Sequence, residues 1–121
     1  MSRLDGNILG DEIVFEVMAQ SGESVAVALD TGSTGEFTLD PETAARLGFS
    51  EPLRMEEGEL ADGSIARLPV ALGTVIWLGR RRQTRAVLVK VNRGTIGMGL
   101  LRDVIVHIDT HAGVASIDRA V

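Results

Sequence analysis

With 121 residues, 45% of them hydrophobic and 24% charged, the chain has the size and composition of a single globular domain, 1–121, and excludes both a two-domain layout and wholesale disorder. Its 12 Lys and Arg against 17 Asp and Glu leave a formal charge of −5, which attracts neither nucleic acid nor an anionic membrane. The lack of cysteine excludes disulfides, thiolate metal sites and cysteine nucleophiles, and suits a reducing, cytoplasmic setting.

The first residues, Met1-Ser2-Arg3-Leu4-Asp5-Gly6, put an acid and a glycine where a signal peptide needs an apolar stretch. The longest uncharged run, Leu68 to Gly79, falls short of the ~20 apolar residues that span a bilayer. A soluble protein is expected. Ile13 to Met18 and Ser24 to Leu29 flank the turn-rich Gln20-Ser21-Gly22-Glu23 and predict a hairpin. The second strand runs into Asp30-Thr31-Gly32-Ser33-Thr34-Gly35, and a short strand, Glu36 to Leu39, follows. Pro41 to Leu47 predicts a helix, with Asp40 as N-cap, Pro41 in the first turn and Gly48 as stop.

A second hairpin is predicted from Arg54 to Leu60 and Ile65 to Leu72, turning through Ala61-Asp62-Gly63-Ser64. Its first strand carries Glu56, Glu57 and Glu59, so the hairpin is expected to be solvated and mobile. Thr74 to Leu78 and Thr84 to Val91 form another pair around Gly79-Arg80-Arg81-Arg82-Gln83. After Asn92-Arg93-Gly94 come Thr95-Ile96-Gly97, a short helix from Met98 to Asp103, and two last strands, Val104 to Ile108 and Val114 to Ile117. Trp77 reads as core or interface, and Met98 as core. A strand, an apolar-Gly turn and a helical piece occur once around Asp30 to Leu47 and again around Val87 to Asp103, a hint of internal symmetry.

Asp30 is the residue that asks for a chemical explanation. It ends the apolar strand Val25 to Leu29, where a carboxylate is costly unless hydrogen-bonded or functional. The next three residues supply two hydroxyls that can donate to it and a glycine that admits close backbone approach. An Asp-x-Gly at a strand end is equally ordinary turn chemistry, so the tripeptide alone leaves both readings open. Other chemistries find less support. Gly32-Ser33-Thr34-Gly35 is not a nucleophile elbow, His107 and His111 belong to no metal-binding motif, and no metal site is expected. Arg80-Arg81-Arg82 with Arg85 reads as a solvated turn rather than a nucleic-acid site, lacking interleaved aromatics.

Ala28-Leu29-Asp30-Thr31-Gly32-Ser33 after an apolar hairpin, Leu60-Ala61-Asp62-Gly63-Ser64 at the next hairpin tip, and Ile96-Gly97-Met98-Gly99-Leu100-Leu101 near the end stand in a telling order. In that order the sequence resembles the retropepsin-like aspartic proteases, the single-domain homodimeric kin of retroviral protease found also in bacteria and archaea. The resemblance implies an all-β, closed-barrel fold with a flap hairpin and one or two short helices. It implies an endopeptidase that needs no cofactor, acts on polypeptides, and works as a homodimer whose two Asp30 carboxylates activate water. By the same resemblance, Thr31 braces the paired loops and Gly32 lets them meet. Ser33 donates to the outer oxygen of Asp30, and Ile96 and Gly97 pack beneath the loop. Ala61, Asp62, Gly63 and Ser64 tip the flap over the substrate. The sequence departs from the pattern at Thr95, where an apolar residue is common, and has no Tyr, which favours the dimeric branch over pepsin-like enzymes. A catalytically silent peptide-binding or dimerisation module of the same fold is the alternative, and an unrelated small β-barrel is the third reading.

Overall fold

Apolar residues alternate with polar ones along most of the chain, so its strands bury one face and leave the other to water. In the computed structural model, which describes residues 3–60 and 62–120, that pattern gives ten strands. They are β1 (Arg3–Leu9), β2 (Glu12–Ala19), β3 (Ser24–Leu29), β4 (Phe37–Leu39), β5 (Arg54–Glu59), β6 (Ile65–Trp77), β7 (Arg80–Leu88), β8 (Gly94–Ile96), β9 (Val104–Asp109) and β10 (Val114–Arg119). One helix, α1 (Pro41–Arg46), follows β4, and a 3₁₀ turn, Met98–Leu100, follows β8. The N-cap of α1 is Asp40, whose carboxylate accepts from Glu42 N–H.

The strands form one sheet in the order β5-β6-β7-β4-β8-β3-β2-β1-β10-β9. A further pairing of β6 with β2, through Met18 opposite Ile76 and Ala19 opposite Val75, closes six of them into a barrel. Phe15, Val27, Ile96, Leu100 and Ile117 are wholly buried in its core, and Phe37 meets Phe49 edge to face with centroids 6.2 Å apart. Outside the barrel, β1, β10 and β9 extend the sheet on one side. On the other, β5 pairs with the first part of β6 to form a projecting hairpin.

The internal symmetry hinted at by the sequence is visible in the pairings. The chain runs β3, loop, β4, α1 and then β7, loop, β8, 3₁₀ turn. The two halves interlock, β3 pairing in parallel with β8 and β4 with β7.

One strand was not foreseen, and four expectations are corrected. The N-terminal strand β1, paired with both β2 and β10, had no sequence signal beyond its alternation. The strands expected over Ile65–Leu72 and Thr74–Leu78 are one continuous strand, because Gly73 is a packing notch. A Cβ there would stand 2.6 Å from the Phe49 ring. Arg80-Arg81-Arg82 belongs to β7, since the turn is the two-residue Leu78-Gly79, both at positive φ (50° and 84°). Arg119 Nη2 donates to the carbonyls of Trp77 and Leu78 and holds that turn. Met98 is exposed rather than core, and the helix expected over Met98–Asp103 is only the 3₁₀ turn, cut short by Asp103 at φ 57°. Trp77 is buried as expected.

Candidate active site

β3 is buried at Val27 and Ala28, yet Asp30, Thr31 and Gly32 at its end are exposed. What fixes this loop is backbone. Asp30 N–H donates to the Ile96 carbonyl at 2.9 Å, continuing the parallel β3–β8 ladder by one step. Gly97 N–H donates to Glu36 O at 2.9 Å, Met98 N–H to Ser33 O at 2.8 Å and Gly99 N–H to Gly35 O at 3.0 Å. The segment Ile96–Gly99 therefore lies against the Asp30–Glu36 loop along its length.

Only glycine fits at position 97. A Cβ there would overlap Gly35 O and come within 2.9 Å of both Ser33 O and Ser33 Oγ. The residues Ile96 and Gly97 singled out from the sequence thus sit against the Asp30 loop, and Ile96 is wholly buried.

Within the loop, Gly32 N–H donates to Asp30 Oδ1 at 3.0 Å and Ser33 N–H to Asp30 O at 3.1 Å. Asp30 Oδ2 has no partner among the described residues. The Ser33 hydroxyl, expected at the outer oxygen of Asp30, instead accepts from Gly35 N–H at 3.3 Å. Thr31 is exposed and its hydroxyl bonds to nothing among the described residues.

Glu36 is the loop's other carboxylate, and it is already engaged. Its Oε2 pairs with Arg82 Nη2 at 3.1 Å and its Oε1 accepts Arg85 N–H at 2.8 Å. Asp30 is the carboxylate of this loop left with a free oxygen. The role of Glu36, Arg82 and Arg85 was not foreseen, because their contacts span 46 to 49 residues of sequence.

The tip of the projecting hairpin is ordered by its own hydrogen bonds. Asp62 Oδ1 accepts from Ser64 N–H at 2.9 Å and Ser64 Oγ–H at 2.6 Å. The Ser64 hydroxyl first, and then its N–H, hold the Asp62 carboxyl below its ordinary value. Gly63 turns there at φ 84°. Ala61 lies outside the described residues. No hydrogen bond joins Asp62, Gly63 or Ser64 to the Asp30 loop.

A recess of about 590 Å³ opens on the β1–β10–β9 face, lined in part by Asp5, His107, Asp109 and Asp118, and contains none of the site residues read from the sequence. His107 and His111 are exposed, and among the described residues no three His, Asp or Glu side chains converge as metal ligands would. No helix among the described residues is long and apolar enough to cross a membrane.

No family model and no curated protein sequence matches the chain. Among solved structures it is similar to a retropepsin-like aspartic protease from Rickettsia conorii, with a TM-score of 0.70 and 16% identity over 97% of this chain and 90% of that one. The barrel, its short helix and the loop placed at the end of β3 therefore make up a retropepsin-like fold.

Proposed function

We propose that two copies of this chain assemble into an aspartic endopeptidase, with the Asp30 carboxylates facing each other across a twofold axis. One observation carries the reading. An exposed Asp-Thr-Gly ends a buried strand, one carboxylate oxygen fixed by Gly32 N–H and the loop backed by Ile96–Gly99. The likeness in fold to a retropepsin-like protease supports it. Each chain contributes one such acid, so a pair of acids requires a pair of chains.

Two carboxylates about 3 Å apart cannot both ionise cheaply and hold one proton between them. The charged member takes a proton from water as the water oxygen attacks the carbonyl carbon of the substrate. The protonated member gives its proton to the carbonyl oxygen. Collapse of the tetrahedral diol breaks the C–N bond as the leaving nitrogen takes the dyad's proton and a diol hydroxyl gives its own to the other carboxylate, which restores the singly protonated dyad. The scheme uses neither metal nor covalent intermediate. In this reading Thr31 hydrogen-bonds across the two loops, and the hairpin tipped by Asp62-Gly63-Ser64 closes over an extended peptide.

The test compares wild type with Asp30→Asn by sedimentation, peptide cleavage and binding of a statine-type inhibitor. The expected result is a folded dimer in both, with cleavage and tight inhibitor binding only in wild type. A strict monomer at high concentration overturns the reading. Equal inhibitor affinity without cleavage would instead identify a peptide-binding or dimerisation module.

A further inference from the structure

Beside the Asp30 loop lies a recess of about 360 Å³. Thr34 and Gly35 of the loop form one wall, Glu56 and Val70 at the base of the projecting hairpin another, and Arg85 and Arg102 reach into it. Its charges can be accounted for one by one. Glu36 is neutralised by Arg82 at 3.1 Å, and its second oxygen is taken by the Arg85 backbone N–H. Glu56 is held by Arg54 through both Nη2 and Nε, at 2.8 and 3.1 Å. Glu36 thus has both oxygens engaged and Glu56 has its Oε1 engaged, and each carboxylate is matched in charge by an arginine. The guanidinium groups of Arg85 and Arg102 have no carboxylate partner among the described residues.

In a chain of net charge −5, this is a local reversal of sign next to the candidate catalytic acid. Thr34 follows Asp30 by four residues, so the recess begins no more than about 14 Å along the backbone from Asp30. An extended peptide advances about 3.3 Å per residue and turns alternate side chains to the same side. The recess is thus within reach of a side chain about four residues or fewer from the bond being cut.

We propose that this recess is a specificity subsite for an acidic side chain, the Glu or Asp carboxylate of a peptide substrate being held by Arg85 and Arg102. The proposal rests on the endopeptidase reading for the direction of the peptide, and on the charge inventory for its chemistry. Guanidinium suits the task, because its planar fork matches a carboxylate and stays charged at any working pH. The Glu36–Arg85 backbone bond fixes one of the two arginines relative to the Asp30 loop.

The experiment uses paired peptides that differ only by Glu against Gln, scanned over the four positions on each side of the cleaved bond. Wild type is expected to show kcat/KM at least about tenfold higher for Glu at one position, the scale of a hydrogen bond to a charged group. The double variant Arg85→Gln, Arg102→Gln should lose that preference, its ratio of kcat/KM for Glu over Gln falling to about one. Arg85→Glu should shift the preference at the same position toward Lys. Equal rates for Glu and Gln at every position, or a preference that survives the double variant, overturns the subsite. If wild type cleaves no peptide, the endopeptidase reading falls and peptide binding decides. A Glu-over-Gln affinity difference abolished by the double variant sustains the subsite, and equal affinity removes it.

Discussion

Gly97→Ala is the substitution whose effect the geometry fixes most closely. The added Cβ would overlap Gly35 O and stand 2.9 Å from Ser33 O and Ser33 Oγ, against an ordinary carbon–oxygen separation of about 3.5 Å. The loop must retreat by at least about 0.6 Å at Ser33, and by more at the overlapping Gly35 O, to restore ordinary contact. Two of the obstructing atoms are backbone carbonyls, and they accept from Gly99 N–H and Met98 N–H, so retreat lengthens the bonds that brace the loop. Overpacking of this kind costs about 1–3 kcal/mol, which in a domain of this size lowers Tm by about 5 °C per kcal/mol. A displacement beyond about 0.5 Å exceeds what a preorganised site tolerates, and peptide cleavage should fall about a hundredfold. Gly58→Ala is the control, because its nearest obstacle is the tip of the Leu68 side chain at 2.8 Å, which can turn aside. Thermal unfolding and cleavage are measured at one fixed protein concentration, since assembly also shifts Tm. A Gly97→Ala protein with the Tm and cleavage rate of wild type would refute the bracing argument.

Ser64→Ala should raise the Asp62 carboxyl toward its ordinary value, read by an NMR pH titration, because the hydroxyl is the largest cause of its lowered value. The sign follows from linkage. The carboxyl is lowered on folding, so its hydrogen bonds favour the folded tip above the ordinary carboxylate range, and that preference is lost as pH falls through the lowered value. Glu36→Ala should cost about 1–3 kcal/mol in urea unfolding, because it strands a half-buried Arg82 and frees a backbone N–H. Glu23→Ala, which removes the exposed pair with Arg46, should cost under about 1 kcal/mol in the same assay.

The fold was legible in the sequence wherever local chemistry decides. Asp40-Pro41 and Gly48 bounded α1, and apolar alternation with Gln20–Glu23 between gave the β2–β3 hairpin. The pairing of Ile96–Gly97 with the Asp30 loop was also legible, but through resemblance rather than through any periodicity. Failures came where distant contacts override local signals. Gly73 looked like a strand break and is a notch for Phe49, a residue 24 positions earlier in sequence. The arginines at 80–82 looked like loop because their charge obscured strand alternation, although Leu78-Gly79 completes the turn before them. Ser33 is a failure of the opposite kind, expected at the Asp30 carboxylate and instead accepting a local bond from Gly35 N–H. The basic recess was invisible, since its charge balance depends on which carboxylates Arg54 and Arg82 have already claimed.

β6 is one strand with two employments. From Ile65 to Pro69 it pairs only with β5, and from Val70 onward it also joins β7 and then closes the barrel through Val75 and Ile76. Pro69 stands at the changeover, and it has no N–H to lend to either neighbour. Bending the arm about that residue would break none of the rungs between β6 and β7, which begin at Val70. Such a bend would leave the barrel pairings intact, and substitutions that stiffen or loosen position 69 should change how far the hairpin can bend without changing the barrel that carries it.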